Sequence, residues 1–564
     1  ATDLTTGYYS AYIGMQAGQN VTTGHTNIFM GFQAGNNVSD TNQQIAIGYR
    51  AGYANGGAMD VFIGYEAGLN VTAGDNIGIG RRAGSGYHGV NQTEFQENTT
   101  NRYNISIGTY AGYRAIGTNN VNVGHNSGYN ATGSNNTFVG YYAGKGGETS
   151  APFSSGQLNT FVGKDAGKEF TTGGYNNALG AEALDALTTG VENSAMGVGA
   201  LGSITTQNSN VAIGGYAGTS IAGSDAIDNV IIGNYAGTGG SGDLKRSIAI
   251  GKNALNSTGT ADVLGAVAIG HDALTAANNT NTDYSIAIGY TALTALQSGQ
   301  QNVAVGFQAL TATNGGQFNV AMGAEAGKFN VTGTGNIYMG YQAGRGLLSN
   351  SHDYNVGIGY QSLYDVTTGG SNVAIGKGSG TNITSGPRNV LLGTDAGDTI
   401  TTGEQNILVG SSADVDSNAG SNRIGIGYNV SVDADHKTVI GASTQTKLFL
   451  GTTTGSMAVI GGKAEPTQPY AGTETPKSGL RISGHTQGGA APSEPAQIVI
   501  HDYSSSTNGG RIKFERNRNN GVSYVQNNDV LGEIQFVASS SHDYDETFGC
   551  RIAAIADDTH TASK

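Results

Sequence analysis

The stretch Asn210-Val211-Ala212-Ile213-Gly214 decides the fold, because the chain keeps repeating it. It returns unaltered at Asn372 to Gly376 and nearly so at Asn302 to Gly306. Reading outward from it gives twenty-five such rungs, with anchoring glycines running from Gly14, Gly31 and Gly48 to Gly410, Gly427 and Gly441. Most are sixteen to nineteen residues apart, about seventeen. A fixed period this short predicts an all-β, repetitive parallel β-roll solenoid over residues 1–450, in which each unit buries its apolar face only against its neighbours.

Composition agrees with that reading. Of 564 residues 93 are Gly, only 12% are charged and Trp is absent. An interior Gly costs a helix about 1 kcal/mol relative to Ala, so a helical repeat is excluded where most rungs carry two or more. Gly and Asn supply the positive φ that tight β turns require. The net charge of −14 gives no reason to expect a nucleic-acid partner. The one basic cluster, Arg511, Lys513, Arg516 and Arg518, has the alternate spacing of a solvated strand face. Cys550 is the single cysteine, so no intrachain disulfide forms. No apolar run approaches the roughly 20 residues of a membrane helix, and no membrane insertion is expected. The chain opens inside a rung, with Thr5-Thr6-Gly7 already at a turn position, so an upstream portion is expected.

Within the rung Asn336-Ile337-Tyr338-Met339-Gly340, strand alternation sets Ile337 and Met339 on one face and Tyr338 on the other. The paired aliphatics recur as Val211 and Ile213 or Val303 and Val305, and are expected to point into the core. Between them stands a small residue, as at Ala212, Ala249, Ala287, Ala304, Ala321 and Ala374. A solvated strand face would carry polar residues, so these alanines are expected to line an interface where another subunit's backbone approaches closely. Asn stands four residues before the anchoring Gly in seventeen rungs, where stacked amides can form a ladder along the axis. A second corner is marked by Thr-Thr-Gly, as at Thr188 to Gly190 and Thr401 to Gly403. Two strands and two corners per rung make a flattened roll, about 120 Å long at about 4.8 Å per rung.

The rung, with its small-residue turn, resembles the left-handed parallel β-roll in the heads of trimeric autotransporter adhesins, whose rungs are shorter. That resemblance covers roughly residues 5–450 and implies a homotrimer, intertwined or side by side. Near residue 450 the period dissolves. Five of the seven prolines fall between Pro466 and Pro495, which marks residues 451–496 as a linker or transition. Strand-like runs follow at Gln497 to Ile500, Arg511 to Glu515, Gly532 to Phe536 and Arg551 to Ile555, a C-terminal β-rich module over residues 497–564. Gly509 to Arg518 and Val530 to Ser539 resemble the distal shaft of phage tail fibres and tailspikes. In that family the shaft often precedes a trimerising chaperone that is cleaved away.

Two longer intervals interrupt the repeat, between Gly80 and Gly108 and between Gly140 and Gly163. Insertions in a solenoid extrude as surface loops, either merely tolerated or used for contact. The aromatic and imidazole side chains in them, Tyr87, His88, Phe95 and Phe153, are the candidates for receptor binding. Catalysis has less support. Glycoside hydrolysis needs two carboxyl groups flanking one sugar site, and the pairs Glu94 with Glu97 and Asp543 with Asp545 have no supporting motif. The ten His residues include no H-x-H or H-E-x-x-H, so no metal site is expected, and no cofactor.

These readings converge on a homotrimeric fibre of a phage tail, not an enzyme. It would be located on the virion tail, joined to other tail proteins, and would bind a host-surface glycan or protein through its loops. The alternatives are a trimeric adhesin on the bacterial surface and a polysaccharide-degrading tailspike. The adhesin reading lacks a heptad stalk and membrane-anchor strands in this sequence.

Overall fold

The computed structural model of the chain describes residues 8–441, except 39, 87–101, 148–153, 222, 241, 258, 261, 278–281 and 348–349, together with the strands Val530–Gln535 and Arg551–Ile555. The chain divides into two compact units, Ala1–Leu448 and Phe449–Lys564. No helix occurs among the described residues.

The first unit is a parallel β-solenoid. Its three-residue strands form a single sheet of 25 strands, each paired in parallel with the strand of the next rung. Register is strict: Val303 pairs with Val320, Ala304 with Ala321 and Val305 with Met322. The anchoring glycine ends each strand for two reasons, seen at Gly323. Its φ is +144°, and a Cβ there would lie 2.3 Å from the carbonyl oxygen of Gly340 in the next rung.

The faces of the strand are the reverse of the sequence expectation. Tyr338 is fully buried, whereas Ile337 and Met339 are each 38% exposed. The middle residue of every strand from Ile28–Met30 to Ile424–Ile426 is buried in the roll. The aliphatic pair therefore faces outward and the small residue faces the core. The reason lies six residues further on, in the opposite wall. In several rungs with a middle Ala, as at Ala287 and Ala304, a buried Leu (Leu293, Leu310) fills the roll from the other side; where Gly stands there instead, as after Ala212 and Ala321, side chains of the adjoining rungs such as Leu201, Ile231, Leu310 and Tyr338 reach into the space. Where it is aromatic, the facing residue is Gly. A Cβ at Gly344 would come within 2.2 Å of the Tyr338 ring, and one at Gly167 within 2.4 Å of Phe161. A dense interior of fixed width leaves these two facing positions room for a large side chain from only one wall.

The opposite wall is not a second strand of the regular roll. Among the described residues of this unit, two short strand pairs lie outside the main sheet, Leu244–Lys245 with Val263–Leu264 and Asp414–Val415 with Ser431–Val432, besides the isolated bridges Ala131–Ser154 and Asn330–Asn350. Elsewhere that wall is a run of turns held by rung-to-rung backbone bonds, such as the N–H of Gly218 donating to Ala236 O at 2.9 Å. Left-handed residues, for example Glu325 at φ 57° and Gly327 at φ 60°, deny it an extended conformation.

Both corners are ladders. At the first, Asn406 donates its backbone N–H and its Nδ2 to Oδ1 of Asn389 at 3.0 and 2.9 Å, and Nδ2 also donates to Gly420 O at 2.7 Å. Asn389 does the same to Asn372, and Asn372 to Asn355. The buried Arg423 closes this run, its N–H on Asn406 Oδ1 and its guanidinium on Asp416 and Asp435. At the Thr-Thr-Gly corner the Thr171 hydroxyl donates to Thr188 O and the Thr188 hydroxyl to Thr205 O, both at 3.0 Å.

The apolar core falls into two clusters, one spanning Ala17 to Val71 and one spanning Ala131 to Val432. Between them the inward positions are Gly78, Ser106 and Asn122, and the Asn122 Oδ1 is buried without a hydrogen-bond partner.

In the second unit, Val530–Gln535 pairs antiparallel with Arg551–Ile555, with a bulge between Val530 and Gly532. The expected strands at 497–500 and 511–515, the basic cluster and residues 451–496 lie outside the described residues.

Candidate functional site

The alternation that buries Ala304 sends Val303 and Val305 to the outer surface of the sheet. Repeated over the rungs, this makes two outward columns, mostly of Val, Ile, Leu and Met, along the 25 strands, with no charged residue in either. Lone exposed aliphatics are ordinary on a protein surface, but a continuous array is not.

Aromatic residues border the array. On one side, immediately after the anchoring glycine, Tyr49 stacks on Tyr65 at 4.9 Å, Tyr290 on Phe307 at 5.5 Å and Tyr341 on Tyr360 at 5.2 Å. Their ring faces are taken up by one another, leaving edges and hydroxyls outward. On the other side Tyr175, Phe318 and Tyr354 stand before the corner Asn, exposed and in the left-handed conformation. Local strain of order 1 kcal/mol per bulky residue is offset by rung-to-rung bonds such as Tyr354 N–H to Thr334 O at 3.0 Å.

One interval of the array differs. From Thr137–Val139 to Ser194–Met196 the first outward residue is Thr137, Thr160, Asn177 and Ser194 in turn, in place of Val or Ile. The smaller side chains open a shallow groove of about 480 Å³ floored by Ala178 and Ala195 and walled by Leu179, Met196 and Ile213.

The sequence candidates fare unevenly. Ala212, Ala249, Ala287, Ala304, Ala321 and Ala374 are all fully buried inside the roll, so they line no interface. The physical reason is the packing of large side chains against them, from the opposite wall or from the adjoining rungs. Tyr87, His88, Phe95 and Phe153 lie outside the described residues, as do Glu94, Glu97, Asp543 and Asp545. Sequence reasoning missed the outward aliphatic columns, although a signal was present. Leu six residues on goes with a small residue, Ala or Gly, in mid-strand, as in Ile286-Ala287-Ile288 with Leu293. Tyr goes with Gly, in Ile337-Tyr338-Met339 with Gly344. Such compensation occurs only between residues that share one interior.

Among the described residues no group of three or more His, Cys, Asp or Glu side chains is placed to hold a metal ion. Where Asp225, Asp243 and Asp262 converge, Lys245 occupies the centre at 3.1, 3.0 and 3.5 Å, which raises its ammonium pKa. Two titratable groups are sealed in the solenoid. Asp60 takes the corner position of an Asn, and burial pushes its carboxyl up to about 7. His352 is pushed down to about 4 by burial, with Nδ1 2.8 Å from the Tyr338 hydroxyl and Nε2 unpartnered. No helix of the described residues is long and apolar enough to cross a membrane.

No protein-family model matches the chain, and no curated protein sequence matches it.

Proposed function

We propose that this chain is a structural fibre of a phage tail, three copies of which form a shaft that attaches the virion to its host. The observation that carries the reading is the length and regularity of the solenoid, whose sheet runs through 25 parallel strands. A stack of identical rungs keeps its ends far apart, which suits a spacer between a particle and a cell surface. The sequence insertions containing residues 87–101 and 148–153 are the proposed contact points for a host glycan or protein. Three symmetric copies of a weak contact raise avidity by about 10²–10⁴.

Immunogold labelling with an antibody raised against residues 102–147 tests this. Decoration of virion tails supports the fibre, whereas decoration of uninfected bacteria assigns the chain to a cell-surface adhesin. A second assay incubates the purified chain with host capsule and lipopolysaccharide. A fall in polymer size would replace the attachment reading with that of a degrading tailspike.

A further inference from the structure

We infer that copies of this chain pack on one another through the outward Val, Ile and Met columns, parallel and in register, with the polar notch at Thr160, Asn177 and Ser194 fixing that register. The inference rests on the multi-chain fibre proposed above and names the face through which it assembles.

The size of the face is the first argument. Strands about 10 Å long and about 4.8 Å apart make, over 25 rungs, about 1,200 Å² of flat apolar sheet. The largest patch on a typical monomer is about 300–600 Å², and each partner in a standard stable complex gives about 800 Å². The second argument is spacing. An occupant must extend along the whole solenoid and present apolar groups at the same interval, and a second copy of this chain does both. Charge is the third. Chains carrying a formal −14 repel one another, and the outward columns are where they meet without opposing like charges.

Orientation follows from the notch. It occupies the eighth to eleventh of the 25 strands, so it is off centre. In a parallel, in-register assembly each Asn177 faces its equivalent, and each amide both donates and accepts, so the polar side chains satisfy one another. In an antiparallel assembly with matched ends, Asn177 faces Ile286, and the notch meets the aliphatic run from Val267 to Val320. That leaves amide and hydroxyl groups buried against hydrocarbon. A polar residue set in an apolar seam selects register in just this way in coiled coils.

Cysteine cross-linking of the full-length chain tests both parts. With Cys550→Ser as background, Asn177→Cys and Ile286→Cys are made separately and together in co-expressed chains, then treated with a short bismaleimide. Both positions are outward, so the roll itself is undisturbed. The expected result is that each variant alone yields covalent dimers in more than half of the chains, while co-expression adds no Asn177–Ile286 product. Linkage only between the two different variants would mean antiparallel packing and overturn the register. Absence of any linkage in a particle whose light-scattering mass is a multiple of 57.3 kDa would overturn the face while leaving the fibre standing. A monomer without linkage would remove both.

Discussion

The ring of Tyr338 lies over Gly344, so close that a Cβ on that glycine would stand 2.2 Å from a ring carbon. Both residues belong to one rung and to opposite walls of the roll. Tyr338→Ala leaves a cavity and is expected to cost about 3–5 kcal/mol. Gly344→Leu overfills the same space and is expected to cost about 1–3 kcal/mol or more. The left-handed backbone there does not itself forbid Leu, since Leu363 adopts φ 51° at the matching position of the next rung. The double variant recreates the Ala–Leu arrangement of Ala287 with Leu293. Its unfolding midpoint should therefore exceed that of either single variant, with a coupling of about 1–3 kcal/mol in a double-mutant cycle.

Ala304 and Val303 are neighbours with opposite fates. Ala304→Arg places a guanidinium inside the roll, without a partner and without room, so circular dichroism should show lost sheet structure around a lowered melting temperature. Val303→Lys projects from the outer face. It should leave the melting of the roll within about 0.5 kcal/mol of the parent, as surface changes do. Light scattering should nevertheless report a smaller particle. A Val303→Lys protein of parental mass would exclude the outer columns as an interface.

Asp60 makes the roll sensitive to alkali. Its carboxyl accepts the Asn76 N–H at 2.7 Å and Asn55 Nδ2 at 3.0 Å, yet burial outweighs these bonds and holds its pKa at about 7. Because the folded pKa lies above the unfolded value of about 3.9, the protonated acid is favoured by folding. That contribution is complete below about pH 4 and is lost as pH rises through about 7, with a magnitude on the order of 4 kcal/mol. Asp60→Asn restores the residue found at most other corners. Thermal unfolding from pH 4 to 8 should show parent and variant close together in acid and the variant increasingly superior toward pH 8.

His352 has the opposite sign. Its folded pKa of about 4 lies below the ordinary value, so the neutral ring is favoured by folding. The stability it contributes is present above about pH 6.5 and is lost as pH falls toward 4, on the order of 3 kcal/mol. Hydrogen exchange at pH 7 and pH 5 reads this locally. Rungs from Asn336 to Asn372 should open more at pH 5 in the parent than in His352→Gln, and equal exchange in the two proteins would refute the assignment.

The period, the parallel stacking, the Asn corner and the anchoring glycine were legible because each is a repeated local requirement. The Asn of seventeen rungs and the Gly that follows it need only their own neighbours to be understood. Which side of the strand is inside was not legible from alternation alone. Val303 and Ala304 are both apolar, and hydrophobicity favours burying the larger. The choice belongs to a third residue, Leu310, which fills the roll and leaves room only for Ala opposite it. The number of strands per rung failed for a related reason. Two strands per rung were expected, but the left-handed turns at residues such as Glu325 and Gly327 prevent extension in the second wall. Of the candidate site, the aromatic borders and outward columns were in plain view as residues and hidden only by the assumption that aliphatic pairs go inside.

The gap in the apolar core at Gly78, Ser106 and Asn122 carries a mechanical consequence. Rungs on either side adhere through interdigitated aliphatic and aromatic groups, whereas here the middle positions supply only a glycine, a hydroxyl and an amide whose oxygen has no partner. A filament stretched from its two ends distributes the same tension to every rung and parts where cohesion is least. Under load this solenoid should therefore begin to unravel about a quarter of the way along its sheet, paying out extended but covalently continuous chain while the rungs on either side stay folded.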